Sequence, residues 1–186
     1  MNAQELPRSR RVLLLIDFIN PMDFPGAQDL NAAAVEAAQA TSVLKDRLHE
    51  AGVPAIYAND NYGGWQSDFK TLVERCAGSR GASGEMARLL LPRPGDLTVL
   101  KPRHSAFLGS PLDLLLARIE AKELILTGVA TDICVQLTAM DGFLRGFTLR
   151  VPADCCAAES AEDHKQSLAY MARILKCDTS PSAFIK

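Results

Sequence analysis

An open α/β fold, with a parallel sheet covered by helices on both faces, is the architecture this 186-residue sequence predicts. Two observations point to it. Short apolar runs recur without period-2 alternation, the pattern of strands buried on both faces. Between those runs, apolar residues return at spacings of three and four, marking one side of a helix each time.

Val12–Ile16 is the first continuous apolar run. The helix that follows is marked by Leu30, Ala34, Ala37, Thr41, Leu44 and Leu48. After the Ala51-Gly52 break, Val53–Ala58 reads as the second strand. Ala77–Gly84, rich in Gly, Ser and Ala, is expected to be a mobile loop, and Thr98–Leu100 a short strand. Ser110-Pro111-Leu112-Asp113 signposts a helix start: an N-cap serine, a proline at the first helical position and an acid three residues after the cap. Glu123–Thr127 is another strand, and a helix face of Ile133, Leu137, Met140 and Leu144 follows it. Phe147–Val151 reads as a further strand. Ser160 with Asp163 caps the last helix, which is marked by Ala161, His164, Leu168, Met171 and Leu175. The length fits one domain, residues 10–186, behind a loose tail at residues 1–9.

Composition excludes several functions. With 48% apolar residues the chain can bury a real core. Twenty Lys and Arg against twenty-two Asp and Glu leave a formal charge of −2, so no basic excess drives binding to nucleic acid or to an anionic membrane. Val12–Ile16 follows three arginines but is too short for a signal-peptide core, and no run approaches the roughly 20 residues of a membrane span. Five cysteines form no CxxC pair and no even set. These features predict a cytoplasmic protein with reduced thiols.

In an open parallel sheet, ligands bind beyond the carboxyl ends of the strands. Three reactive residues stand at such ends. Asp17 terminates the first apolar run, where partial desolvation raises a carboxylate's proton affinity and suits it to act as a base; capping of the following turn is the structural alternative. Lys101 ends the short third strand and is held extended by Pro102. Beside a carboxylate and a thiol it would hold charge on both; by itself it would be a solvated lysine. Its neighbours Arg103 and His104 are placed to contact substrate, although a lone histidine is more often structural. Cys134 follows the Thr127-Gly128 turn in the first turn of a helix capped by Thr131 or Asp132. There the unpaired amides and positive helix end favour a thiolate and can hold an oxyanion.

With these residues in place the sequence resembles the isochorismatase-like cysteine hydrolases, the group that contains nicotinamidases and N-carbamoylsarcosine amidase. The resemblance spans residues 10–176 and rests on Leu-Leu-Ile-Asp17-Phe, Leu-Lys101-Pro and Thr-Gly-Val-Ala-Thr-Asp-Ile-Cys134-Val-Gln-Leu-Thr-Ala. It implies a Rossmann-like three-layer α/β/α fold with about six parallel strands. It also implies an Asp17–Lys101–Cys134 catalytic triad, a cis peptide between Val129 and Ala130, and an oxyanion hole formed by the amides of Ala130 and Cys134. It further implies a homo-oligomer.

One departure bears on the substrate. Metal-dependent nicotinamidases carry Asp-x-His after the second strand, whereas this chain reads Asp60-Asn61-Tyr62. A divalent ion normally needs three or more protein ligands, so neither a metal nor any other cofactor is expected. The resemblance therefore implies hydrolysis of a C–N bond in a small amide or ureido compound through a Cys134 thioester, with Asp17 also activating the hydrolytic water. Nicotinamide hydrolysis is the alternative, and a ligand-binding or thiol redox-sensing protein on the same fold is the non-enzymatic one. For the substrate pocket the expected walls are Phe18, Asn61, Trp65 (the sole tryptophan) and Phe107.

Overall fold

The computed structural model describes residues 6–61, 64, 66 and 68–185. In chain order the elements are β1 (Arg11–Ile16), α1 (Ala27–Glu50), β2 (Ala55–Asp60), α2 (Phe69–Ala77), α3 (Gly81–Leu89), β3 (Leu97–Lys101) and α4 (Leu112–Ile119). Then follow β4 (Glu123–Val129), a π-helical turn (Thr131–Val135), α5 (Gln136–Leu144), β5 (Thr148–Arg150), β6 (Cys156–Ala157) and α6 (Ala161–Ile174). Among the described residues six strands form one sheet in the order β3-β2-β1-β4-β5, with β6 beside the end of β4. The pairings are parallel, as the apolar runs predict. Val12 to Ile16 are fully buried, because helices cover both faces of the sheet.

Two apolar cores lie on opposite sides of that sheet. Leu13 and Leu15 pack with α1 and α3; Val12, Leu14 and Ile16 pack with α4, α5 and α6. Alternate residues of one strand thus serve both layers. No helix of the described residues is long and apolar enough to cross a membrane.

The chain leaves β1 to build β2 and β3 on one side, then crosses to lay β4 on the other. This is the topological switch point at which open α/β sheets bind ligands. Here β4 comes very close to β1. A Cβ on Gly128, whose φ is +140°, would lie 2.1 Å from the Ile16 carbonyl oxygen. Only glycine permits that approach.

Three local expectations need correction. Ala77–Gly84 is not a loop: α2 ends at Ala77 and α3 begins at Gly81. Its small residues serve close packing, since a Cβ on Gly84 would meet the Ser79 carbonyl at 1.9 Å. The marked face of α5 points outward, with Ile133, Leu137 and Leu144 at 39%, 38% and 79% exposure. The face turned to the sheet is Val135, Thr138, Ala139 and Gly142, whose small side chains let the helix sit close. Apolar residues occur on both faces, so periodicity alone did not choose between them. Finally, no side chain caps α5 or the π turn; Thr131 Oγ1 instead meets His164 Nδ1 at 2.8 Å, tying the turn to α6. The Ser160 cap forms as read, its Oγ accepting from Asp163 N at 3.0 Å, whereas Pro111 and not Ser110 stands directly before α4, and Ser110 Oγ accepts from Leu112 N at 3.1 Å rather than from Asp113.

Candidate active site

Asp17 leaves β1 in the left-handed region, at φ 53°, a conformation that aspartate tolerates better than most residues. Its amide donates to Ala58 O at 3.1 Å, and its Oδ1 accepts from the Asp60 amide at 2.8 Å, so the end of β2 fixes the carboxylate. Lys101, the last residue of β3, extends across the end of β2 and is fully buried. Its Nζ lies 2.7 Å from Asp17 Oδ2, forms a second ion pair with Asp60 Oδ1, and donates to Arg103 O at 3.2 Å. Cys134 Sγ is 3.8 Å from the same Nζ. Three strand ends thus bring a carboxylate, an ammonium and a thiol into mutual contact.

The electrostatics follow from burial. Desolvation pushes the Asp17 carboxyl up to about 6; Lys101 opposes the rise and Asp60 adds to it. Burial pulls the Lys101 ammonium down, but the neighbouring Asp17, Cys134 and Asp60 outweigh it and hold the proton more tightly than usual. The Cys134 thiol is pushed well above its ordinary value by burial and then by the Asp17 charge, against the pull of Lys101. Burial thus works against the thiolate that a helix start favours. Cys134 lies in the π turn with its side chain in the core, so desolvation exceeds any gain from helix amides. The sulfur keeps its proton until something takes it. Asp17 Oδ2 pairs with Lys101 without an aligned hydrogen bond, which leaves it able to receive that proton.

Asp17 and Cys134 face a cleft of about 290 Å³, while Lys101 borders an adjoining hollow. Asp17, Asp60, Ala130 and Cys134 line its polar part and Phe24, Leu30, Val129 and Ile133 its apolar part. Such a volume suits a small molecule. The Val129–Ala130 peptide at the cleft is cis. Glu159 and Asn20 add polar groups to the wall.

The structure brings Asp17, Lys101, Ala130 and Cys134 together and places Asn61 in an adjoining hollow with Asp60, Lys101 and Arg103. It does not place the aromatic walls as expected. Phe18 is fully buried in the core beneath α1, because the residue after Asp17 turns back under the sheet layer. Phe107 is 3% exposed in the other core, with the Arg145 guanidinium 4.6 Å above its ring. Trp65 and Tyr62 lie outside the described residues. Asp60 is the residue that sequence reasoning undervalued. It was weighed only as a metal ligand, yet it ends β2 as Asp17 follows β1, and that shared position was the available signal. Phe24 had no comparable signal, since it lies eight positions beyond Ile16 in irregular chain.

Comparison with known proteins agrees with this geometry. A family model described as the isochorismatase domain matches residues 11–179. An uncharacterised isochorismatase family protein of Bacillus subtilis is 32% identical, over 91% of this chain and 93% of its own. A ureidoacrylate amidohydrolase of Cronobacter sakazakii is 29% identical, over 70% of this chain and 67% of its own. Among solved structures, N-carbamoylsarcosine amidase from Thermoplasma acidophilum superposes with a TM-score of 0.70 at 23% identity, covering 96% of this chain and 99% of its own.

Proposed function

The chain belongs to the isochorismatase family, and from that premise we propose that it is a cysteine hydrolase cleaving a C–N bond of a small amide or ureido compound. The observation that carries the proposal is the contact of Lys101 with both Asp17 and Cys134, two residues that line one cleft. The amidohydrolase and amidase activities named for two similar proteins support the substrate class.

The Asp17 carboxylate accepts the thiol proton as Cys134 Sγ attacks the substrate carbonyl carbon. A C–S bond forms, and negative charge moves to the carbonyl oxygen, where the amides of Ala130 and Cys134 donate to it. Lys101 remains an ammonium throughout and stabilises the negative charge shared between Asp17 and sulfur. When the tetrahedral intermediate collapses, the C–N bond breaks and Asp17 returns its proton to the departing nitrogen. Ammonia or an amine leaves, and water hydrolyses the thioester. Sulfur, carboxylate and ammonium supply the groups these steps need, so no cofactor enters.

The test is ammonia release from a panel of small amides, nicotinamide included, and ureido acids, with wild type beside Cys134→Ala. The proposal expects release from a member of the panel and its fall to background in the variant. Release that persists without the sulfur, or release from no compound, would overturn it.

A further inference from the structure

A further strand end brings one more charge to the cleft. Parallel pairing sets Ala157 of β6 beside Val129 of β4. Glu159, two residues beyond that pair, therefore emerges beside the turn that carries Ala130 and Cys134, and it lines the cleft with them. It is exposed, yet its carboxylate has a defined place. A Cβ on Gly26 would lie 2.7 Å from Glu159 Oε2 and 2.9 Å from Oε1, so the carboxylate fills the space that a side chain at position 26 would need. That is the amino end of α1, which has no side-chain cap and whose positive end favours an anion. Among the described residues no group forms an ion pair or hydrogen bond with Glu159.

The other charges do not balance it. Lys101 divides its charge between Asp17 and Asp60. Arg103 lies in the adjoining hollow and not in the cleft lining. Among the lining residues, His104 is the one basic side chain, against Asp17, Asp60 and Glu159. A ligand that fills the cleft displaces water from the Glu159 carboxylate. A neutral group leaves that charge poorly solvated and an anionic group adds repulsion, whereas a cation replaces what the water supplied.

We propose that Glu159 is a specificity residue, selecting small amides or ureido compounds that carry an ammonium or guanidinium at the end remote from the scissile carbonyl. This deepens the hydrolase reading and rests on Cys134 as the reacting residue. The scissile carbonyl stands at Cys134 and the cation at Glu159. The carbon stem between them lies on the apolar wall of Phe24, Leu30, Val129 and Ile133.

Charge preference is read first, without any turnover. Aminoethyl and sulfonatoethyl methanethiosulfonate each form a mixed disulfide with a thiol and release methanesulfinate and a proton; they differ in the charge they carry. Their rates at Cys134, followed by peptide mass, are each divided by the rate with free 2-mercaptoethanol. One charge pair about 4 Å apart in water is worth about fivefold, so attraction and repulsion together set about 25-fold between the two reagents. Wild type should favour the cationic reagent, Glu159→Gln should lower the ratio about 25-fold, and Glu159→Lys should lower it further. A wild-type ratio of one or less, or a ratio in Glu159→Gln within threefold of wild type, would overturn the proposal. Ammonia release is then compared for 4-aminobutanamide, pentanamide and 4-carbamoylbutanoate, which share a three-methylene stem. The expected order of kcat/KM is cation, neutral, anion, with the KM of the cation raised in Glu159→Gln; equal values for the three would also overturn the proposal. Release from no amide, in these three or the wider panel, would overturn the hydrolase reading, while the reagent ratio would still decide for or against a cation site at Glu159.

Discussion

Replacing Lys101 with methionine keeps much of the side-chain volume and removes the charge. In the structure the ammonium is fully buried, 2.7 Å from an Asp17 side chain only 4% exposed, while its other partner, Asp60, is 34% exposed. Asp60 can be rehydrated; Asp17 cannot. Removing one partner of a buried ion pair costs about 3–5 kcal/mol, because the remaining charge is left without compensation. At about 2–4 °C per kcal/mol for a chain of this size, Tm should fall by roughly 6–20 °C at pH 8. The sign of the pH dependence follows from Asp17. Its folded carboxyl already sits above the ordinary value of 3.8, at about 6, and losing Lys101 raises it further. A protonated carboxyl needs no counter-charge, so the loss is largest above the folded value and shrinks as pH falls from 8 to 5. Thermal melts of wild type and Lys101→Met at both pH values measure this. Equal Tm values at pH 8, or a loss that grows on acidification, would refute the reasoning.

The acid limb of kcat/KM should lie near pH 6, with rate falling about tenfold per pH unit below it as Asp17 is protonated. Asp60→Asn removes a negative neighbour that raises Asp17, so that limb should move to lower pH in a rate profile. Gly128→Ala drives a Cβ toward the Ile16 carbonyl at a positive φ, and urea unfolding should show a loss above about 3 kcal/mol. Tyr57→Phe removes a buried hydroxyl that donates to Leu90 O at 2.8 Å and accepts from Lys45 at 2.7 Å. Its expected cost is about 1–3 kcal/mol in the same assay, with kcat/KM unchanged.

The sheet was legible because fully buried strands leave unbroken apolar runs, and Val12–Ile16 is such a run in both sequence and structure. Asp17, Lys101 and Cys134 were legible for a related reason: each ends or follows a run, and strand ends are where this fold collects polar side chains. What lay beyond was the direction a side chain takes once the strand has ended. Phe18 and Phe107 are as close in sequence to reactive residues as a pocket wall would be, but both turn into the core. The helix amides that favour a thiolate were visible in the pattern, whereas the depth of burial that opposes it was not. The two-residue strand β6 leaves too short a trace for any periodicity to find.

The account stands on Cys134 as the attacking atom, and its modification tests that most directly. Wild type would be titrated with iodoacetamide up to one equivalent at pH 8, with remaining turnover and peptide masses followed together. The four other cysteines, 76, 155, 156 and 177, are buried and outside the lining of the candidate cleft. The account predicts that activity falls in proportion to alkylation of the Cys134 peptide, reaches zero at one equivalent, and is protected by substrate. Full alkylation of Cys134 with turnover intact would contradict it.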